Sequence, residues 1–154
     1  MIKVLFVCHG NICRSPMAEF VLKDMVRKSG ISDTFYIASA ATSTEEIGNP
    51  PHCGTKAVLN RLGISCEGKY AVQLKSSDYD KYDFIIGMDS ANIRNMHRIF
   101  GGDREHKIYK LLEFADLSRD VDDPWYTGRF ETTYNDVVTG CEGFLRFLKN
   151  KKFI

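Results

Sequence analysis

The amino-acid sequence predicts an α/β fold, and three observations carry that prediction. Residues 2–7 form an almost unbroken aliphatic run, the pattern of a strand buried on both faces of a parallel sheet. Later strand-like runs at residues 34–38, 82–88 and 107–112 are spaced widely enough for a helix to cross between successive strands. The segments between them carry helix start and stop signals.

Taken in order, the first strand runs directly into a loop and then a helix. Ser15 and Pro16 suit the first helical positions, Ala18, Leu22, Met25 and Val26 recur at helical spacing, and Gly30 offers a stop. The second strand follows at residues 34–38. Pro50 and Pro51 then precede a helix over residues 53–62, closed by Gly63. After the third strand, Asp89-Ser90-Ala91-Asn92 caps a helix ending near Gly101 and Gly102. Beyond the fourth strand, Val137, Val138, Cys141, Leu145 and Leu148 trace one face of a helix from Tyr134 onward, although Gly140 and Gly143 lower its propensity. No repeat, low-complexity tract or linker interrupts the chain, so one domain over residues 1–154 is expected.

Composition narrows the function. With 44% hydrophobic residues in 154, the chain has material for a hydrophobic core. Lys plus Arg number 21 against 20 Asp plus Glu, a net charge of +1, and no basic block is placed to neutralise a run of phosphates, which argues against a nucleic-acid partner. No segment approaches the roughly 18 apolar residues of a membrane span, and the N-terminal run is too short for a signal peptide. Cys8, Cys13, Cys53, Cys66 and Cys141 are an odd set without a C-x-x-C pair, which disfavours a disulfide framework and a zinc site. A soluble cytoplasmic protein with reduced thiols, no metal and no cofactor is expected.

The loop after the first strand reads Cys8-His9-Gly10-Asn11-Ile12-Cys13-Arg14-Ser15-Pro16. A tight loop that ends in a helix N-terminus presents successive N–H groups to an anion, so residues His9, Gly10, Asn11, Ile12, Cys13, Arg14 and Ser15 are expected to cradle a phosphate. Gly10 and Asn11 tolerate positive φ. Arg14 offers a planar fork to two phosphate oxygens. The same field favours a thiolate at Cys8, to which the Ser15 hydroxyl can donate, and a thiolate beneath a phosphate is a nucleophile. The bare C-x5-R spacing is weak evidence. The preceding strand, the Gly-Asn pair and the Ser-Pro helix start are separate requirements of the same loop, and a packed cysteine beside a surface arginine explains none of them.

These residues, together with Met17-Ala18-Glu19 and the later Asp122-Asp123-Pro124-Trp125-Tyr126, resemble the low-molecular-weight protein tyrosine phosphatase family. The resemblance implies a flavodoxin-like three-layer sandwich with a four-stranded parallel sheet of order 2-1-3-4. It implies hydrolysis of phosphotyrosine in protein substrates and of small aryl phosphates through a phosphocysteine, with inorganic phosphate as product and no cofactor. Asp123 by itself reads more readily as a turn aspartate before Pro124; the loop motif, together with the family's use of this aspartate as general acid, assigns it that role instead. Asp122 does not precede proline and is set aside. Trp125 and Tyr126 are expected to wall a slot deep enough that only a long aryl phosphate reaches Cys8. In the family a serine following the second strand ties down the loop asparagine, which here assigns Ser39 to Asn11.

The chain also departs from the family pattern. Ser39-Ala40-Ala41-Thr42 replaces a Gly-Thr step after the serine, and Lys69-Tyr70-Ala71-Val72 replaces a His-x-Ala-Arg segment, so the bonds those residues make in the family are in question. His9 stands where the family often has an apolar residue and is read as a rim residue without a role as base. An acidic residue follows the third strand in the family; Asp89 is read here as a helix cap and not as part of the site. Glu45 and Glu46 occupy the variable loop and either select basic peptides or are simply solvated. Finally, Cys13 lies five residues from Cys8 in the same curled loop, and a disulfide between them is expected to protect an oxidised Cys8. The competing functions are an arsenate reductase of related fold, which needs a close pair of further cysteines that the spacing of Cys53 and Cys66 does not provide, and a phosphate-binding or phosphocarrier module.

Overall fold

The computed structural model describes residues 1–154. Its sheet has four parallel strands, β1 (Ile2–Cys8), β2 (Phe35–Ala41), β3 (Phe84–Gly87) and β4 (Ile108–Lys110), in the order β2-β1-β3-β4. The helices are α1 (Arg14–Lys28), α2 (Cys53–Arg61), α3 (Asp78–Lys81), α4 (Ser90–Phe100), α5 (Pro124–Thr127) and α6 (Phe130–Asn150).

Alternation along the strands separates two cores. Val4, Phe6, Ile37, Phe84 and Ile86 face one way, against Leu22 of α1, Leu59 of α2 and Phe144 of α6. Leu5, Val7, Ala40 and Ile85 face the other, against Tyr79 of α3 and Met96 of α4. The central strand β1 is covered on both faces, which is why its sequence reads as continuous apolar residues.

Several boundaries differ from expectation. The second strand, expected over residues 34–38, continues to Ala41 because Ala38 to Ala41 stay in register with Leu5 to Cys8 of the neighbouring strand. Ser39 therefore lies inside β2, not after it. The third and fourth strands are shorter than expected. β3 is paired with β1 only from Phe84 to Gly87, and after Lys110 the chain turns into a 3-10 segment, Leu111–Ala115, that buries Leu111 and Leu112. α6 begins at Phe130, four residues before the expected Tyr134, because the Phe130 ring stacks on His52 at 4.9 Å, a contact outside the helical period.

Gly140 and Gly143, which weaken α6 by propensity, have a packing reason. A Cβ on Gly140 would enter the Leu111 side chain, and one on Gly143 would meet the Phe114 carbonyl. The long helix thus lies directly on the turn that follows β4. α4 has the expected start and stop: Asp89 and Asn92 form a reciprocal capping box, and Gly101 closes it at φ 72°.

Candidate active site

β1 ends at Cys8, and α1 begins at Arg14, so the loop between them lies at the carboxyl edge of the sheet, where ligands bind in open α/β folds. Its curl places donors around one sulfur. The Asn11 N–H donates to Cys8 Sγ at 3.3 Å, the Ser15 N–H at 3.5 Å, and the Ser15 Oγ lies 3.0 Å away. Cys8, Asn11 and Ser15 are all buried. The loop is braced from α2, where Thr55 donates to the Cys13 carbonyl and the His52 N–H donates to the Ile12 carbonyl.

Of the two residues expected to tolerate positive φ, only Asn11 uses it, at φ 58°. A left-handed non-glycine residue needs outside support. The Asn11 amide supplies it by donating to Ser15 Oγ at 2.7 Å and to Ser39 Oγ at 2.9 Å, while its Oδ1 accepts from the Val72 N–H at 3.1 Å. Ser39 thus meets Asn11 as expected, although from within β2. The segment that lacks the family's histidine and arginine still contributes, through a backbone N–H at Val72 and through Lys69, whose Nζ donates to the Ser39 carbonyl at 2.9 Å.

Arg14 is 2% exposed and held on three sides. Its Nη1 donates to Asp89 Oδ2 at 2.7 Å and to the Val121 carbonyl at 3.0 Å, and its Nη2 faces Asp123 Oδ2 at 3.4 Å. Burial works against the charge, but Cys8, Asp89 and Asp123 outweigh it and hold the guanidinium above its ordinary pKa. Its Nε is buried without a protein partner, a donor that an oxyanion in the loop would satisfy. Asp89, read from sequence as only a helix cap, does both jobs: Oδ1 accepts from the Asn92 N–H and Oδ2 holds Arg14. The capping signal was legible; the second use depended on a contact spanning 75 residues of chain.

Asp123 is likewise a cap, accepting from the Trp125 N–H at 3.0 Å, and it also lines the pocket above the loop. The turn reading and the pocket reading therefore both hold, through different oxygens. Cys8, His9, Gly10, Ile12, Cys13 and Arg14 form the floor and near wall of that pocket. Trp125 and Tyr126 form its far side and are 56% and 82% exposed, so they are rim residues and not core anchors. Trp125 meets the His52 ring edge-on at 5.7 Å, and Phe130 backs His52. At the opposite rim, His9 Nε2 lies 3.0 Å from Glu45 Oε2. Glu45 and Glu46 both line the mouth.

Elsewhere, Cys66 and Cys141 are buried, Cys53 is exposed at the start of α2, and all five cysteines are free thiols. No group of three or more histidine, cysteine or carboxylate side chains is disposed to hold a metal ion, and no helix is long and apolar enough to cross a membrane.

Residues 3–153 match the model of the family described as low molecular weight phosphotyrosine protein phosphatase. The chain is 44% identical over 154 residues to the low molecular weight protein-tyrosine-phosphatase YfkJ of Bacillus subtilis, covering 99% of each chain. The crystal structure of YfkJ superposes with a TM-score of 0.94 over 99% of this chain and 97% of that one. SP-PTP, a low molecular weight protein tyrosine phosphatase from Streptococcus pyogenes, superposes with a TM-score of 0.86 at 45% identity, over 96% and 93% of the two chains. Matched from end to end in sequence and in fold, the chain belongs to the low-molecular-weight protein tyrosine phosphatase family.

Proposed function

We propose that this chain hydrolyses phosphotyrosine in protein substrates, and small aryl phosphates, through a phosphocysteine at Cys8. The observation that carries the reading is the convergence of the Asn11 N–H, Ser15 N–H and Ser15 hydroxyl on Cys8 Sγ at the floor of a pocket walled by Arg14 and Asp123. Donors aimed at a sulfur stabilise it as thiolate, and the same loop amides suit the equatorial oxygens of a phosphoryl group.

In the first step the Cys8 thiolate forms a bond to phosphorus while the bond from phosphorus to the phenolic oxygen breaks. Asp123 gives its proton to the departing phenolate. In the second step water attacks the phosphorus, Asp123 takes a proton from it, and the S–P bond breaks to return the Cys8 thiolate and inorganic phosphate. Arg14 and the amides of residues 9–15 neutralise the equatorial oxygens throughout. Trp125 and Tyr126 present exposed faces at the mouth, which suits stacking on an aryl ring carried on a phosphotyrosine side chain.

The direct test is turnover of p-nitrophenyl phosphate and of a phosphotyrosine peptide, with a phosphoenzyme trapped by rapid acid quench. Cys8→Ser abolishes turnover but keeps phosphate binding. Arg14→Lys loses both rate and affinity, because an ammonium cannot fork two oxygens. Substantial activity in Cys8→Ser sinks the mechanism. An arsenate reductase would instead need a thiol reductant for each cycle, and a phosphocarrier would keep its phosphoryl group until a partner protein accepts it.

A further inference from the structure

His52 touches three parts of the site at once. Its backbone N–H donates to the Ile12 carbonyl of the phosphate loop at 2.8 Å. Its side chain caps α2, Nδ1 accepting from the Gly54 N–H at 3.0 Å, and its ring lies nearly parallel to Phe130, with centroids 4.9 Å apart and an interplanar angle of 18°. The Trp125 ring stands across it at 84°, with centroids 5.7 Å apart. These contacts fix the plane of the imidazole. The cap points Nδ1 at the helix and Phe130 covers one face, so the ring meets Trp125 in a single orientation. Gly54 belongs to the same arrangement, since a Cβ there would enter the Phe130 ring. Trp125 gains from such a neighbour. It sits in the single turn α5 and is 56% exposed, and His52 is the one ring in aromatic contact with it. An indole free to rotate would give up that freedom each time a substrate ring bound, which weakens its grip.

We propose that His52 is a positioning residue for substrate selection: by holding Trp125 at a fixed distance from the phosphate loop, it sets the preference for phosphate esters that carry an aromatic ring. The link is short. Ile12 lies in the floor of the pocket and Trp125 at its rim, and His52 is bonded to the first through its backbone and packed on the second through its side chain. One residue thus fixes the depth of the slot between the phosphate cradle and the aryl wall. Histidine meets both demands, because its ring stacks as an aromatic while Nδ1 replaces the oxygen acceptor usual at a helix N-cap. Asparagine at this position would cap without stacking, and phenylalanine would stack without capping. The two roles are therefore separable by substitution.

This rests on the aryl phosphatase reading of the site, and the two fail differently. Steady-state kinetics are measured for wild type, His52→Asn, His52→Phe and Phe130→Leu with phenyl phosphate and with β-glycerophosphate, which has no ring, alongside inhibition by inorganic phosphate. Trp125 is the only tryptophan in the chain, so fluorescence anisotropy and acrylamide quenching read its mobility and exposure directly. His52→Asn raises KM for phenyl phosphate about fivefold, the scale of one aromatic pair, while kcat, KM for β-glycerophosphate and the phosphate inhibition constant each stay within about twofold of wild type. Trp125 anisotropy falls and quenching by acrylamide rises in parallel. His52→Phe restores KM for phenyl phosphate to within about twofold of wild type, although losing the cap lowers its thermal midpoint. Phe130→Leu removes the backing ring and leaves His52 in place; it repeats the ring-selective rise in KM and carries the test if His52→Asn does not fold. In the Trp125→Ala background His52→Asn adds nothing further. An unchanged KM for phenyl phosphate in His52→Asn and Phe130→Leu overturns the proposal. So does an equal rise in the phosphate inhibition constant, since His52 would then act on the loop through Ile12 and not through Trp125. A wild-type protein inert towards phenyl phosphate, or no better with it than with β-glycerophosphate, overturns the reading of the site itself.

Discussion

Arg14 donates to Asp89 across 75 residues of chain, Nη1 to Oδ2 at 2.7 Å, and the same carboxylate caps α4 through Oδ1. One side chain thus couples the start of a helix on one face of the sheet to the aim of the phosphate fork. The two jobs are separable by substitution. Asp89→Ser keeps an N-cap acceptor and loses the ion pair; it is expected to fold with a thermal midpoint near wild type while kcat/KM falls by about tenfold or more. Asp89→Ala loses both, adding about 1 kcal/mol of destabilisation in denaturant titration. If Asp89→Ser retains full activity, Arg14 is aimed by Val121 and Asp123 alone.

Asp123 caps α5 with one oxygen and faces Arg14 with the other. Asparagine is an equally good cap, so Asp123→Asn leaves stability nearly unchanged and isolates the proton transfer. In single turnover it slows phenyl phosphate by about 100-fold or more, and p-nitrophenyl phosphate much less, because a good leaving group needs little protonation. Equal slowing of both substrates reassigns the general acid.

Cys13 tests the protective disulfide expected from the sequence. Burial, and next the charge of Cys8, push its thiol up to about 12. Oxidation by peroxide turns the Cys8 thiolate into a neutral sulfenic acid and removes that second cause. The Cys13 thiol can then condense with it, forming the S–S bond and releasing water. Peroxide inactivation is expected to be reversible by dithiothreitol in wild type and largely irreversible in Cys13→Ser, with bound phosphate slowing both. Full recovery of Cys13→Ser makes Cys13 a packing residue only.

Asp103 offers a pH test far from the chemistry, at the amino end of β4. Burial alone would raise its pKa, but the Tyr79 hydroxyl and the Lys107 and Ile108 N–H groups outweigh burial and hold it below the usual range. A depressed pKa in the folded state means stability that is fully present above the unfolded value, near 3.9, and lost as pH falls through the folded value. Asp103→Asn is therefore less stable than wild type at neutral pH, and the two midpoints converge in acid below about pH 4. Its kcat stays at the wild-type level. A pH-independent gap between the midpoints removes the carboxylate charge from the explanation.

The order of the four strands and the four longer helices, the loop from Cys8 to Ser15 and the Asp123-Pro124-Trp125-Tyr126 segment were legible in the sequence because each is written in contiguous residues. Apolar runs, caps and a nucleophile followed by a helix start are local patterns, and the physics that reads them acts over a few residues. The whole-length family match agrees with what those patterns implied. Tertiary structure alone decided what each charged group does with its second partner. Asp89 looked like a cap and is one, yet its other oxygen meets Arg14; Glu19 and Lys69, whose contacts no local pattern indicates, enclose Ser39 from α1 and from the loop before α3. β2 ran on to Ala41 because β1 was there to pair with it. A carboxylate has two oxygens and four lone pairs, so its nearest neighbour in sequence rarely exhausts it. What takes the remainder is set by which elements the sheet brings together.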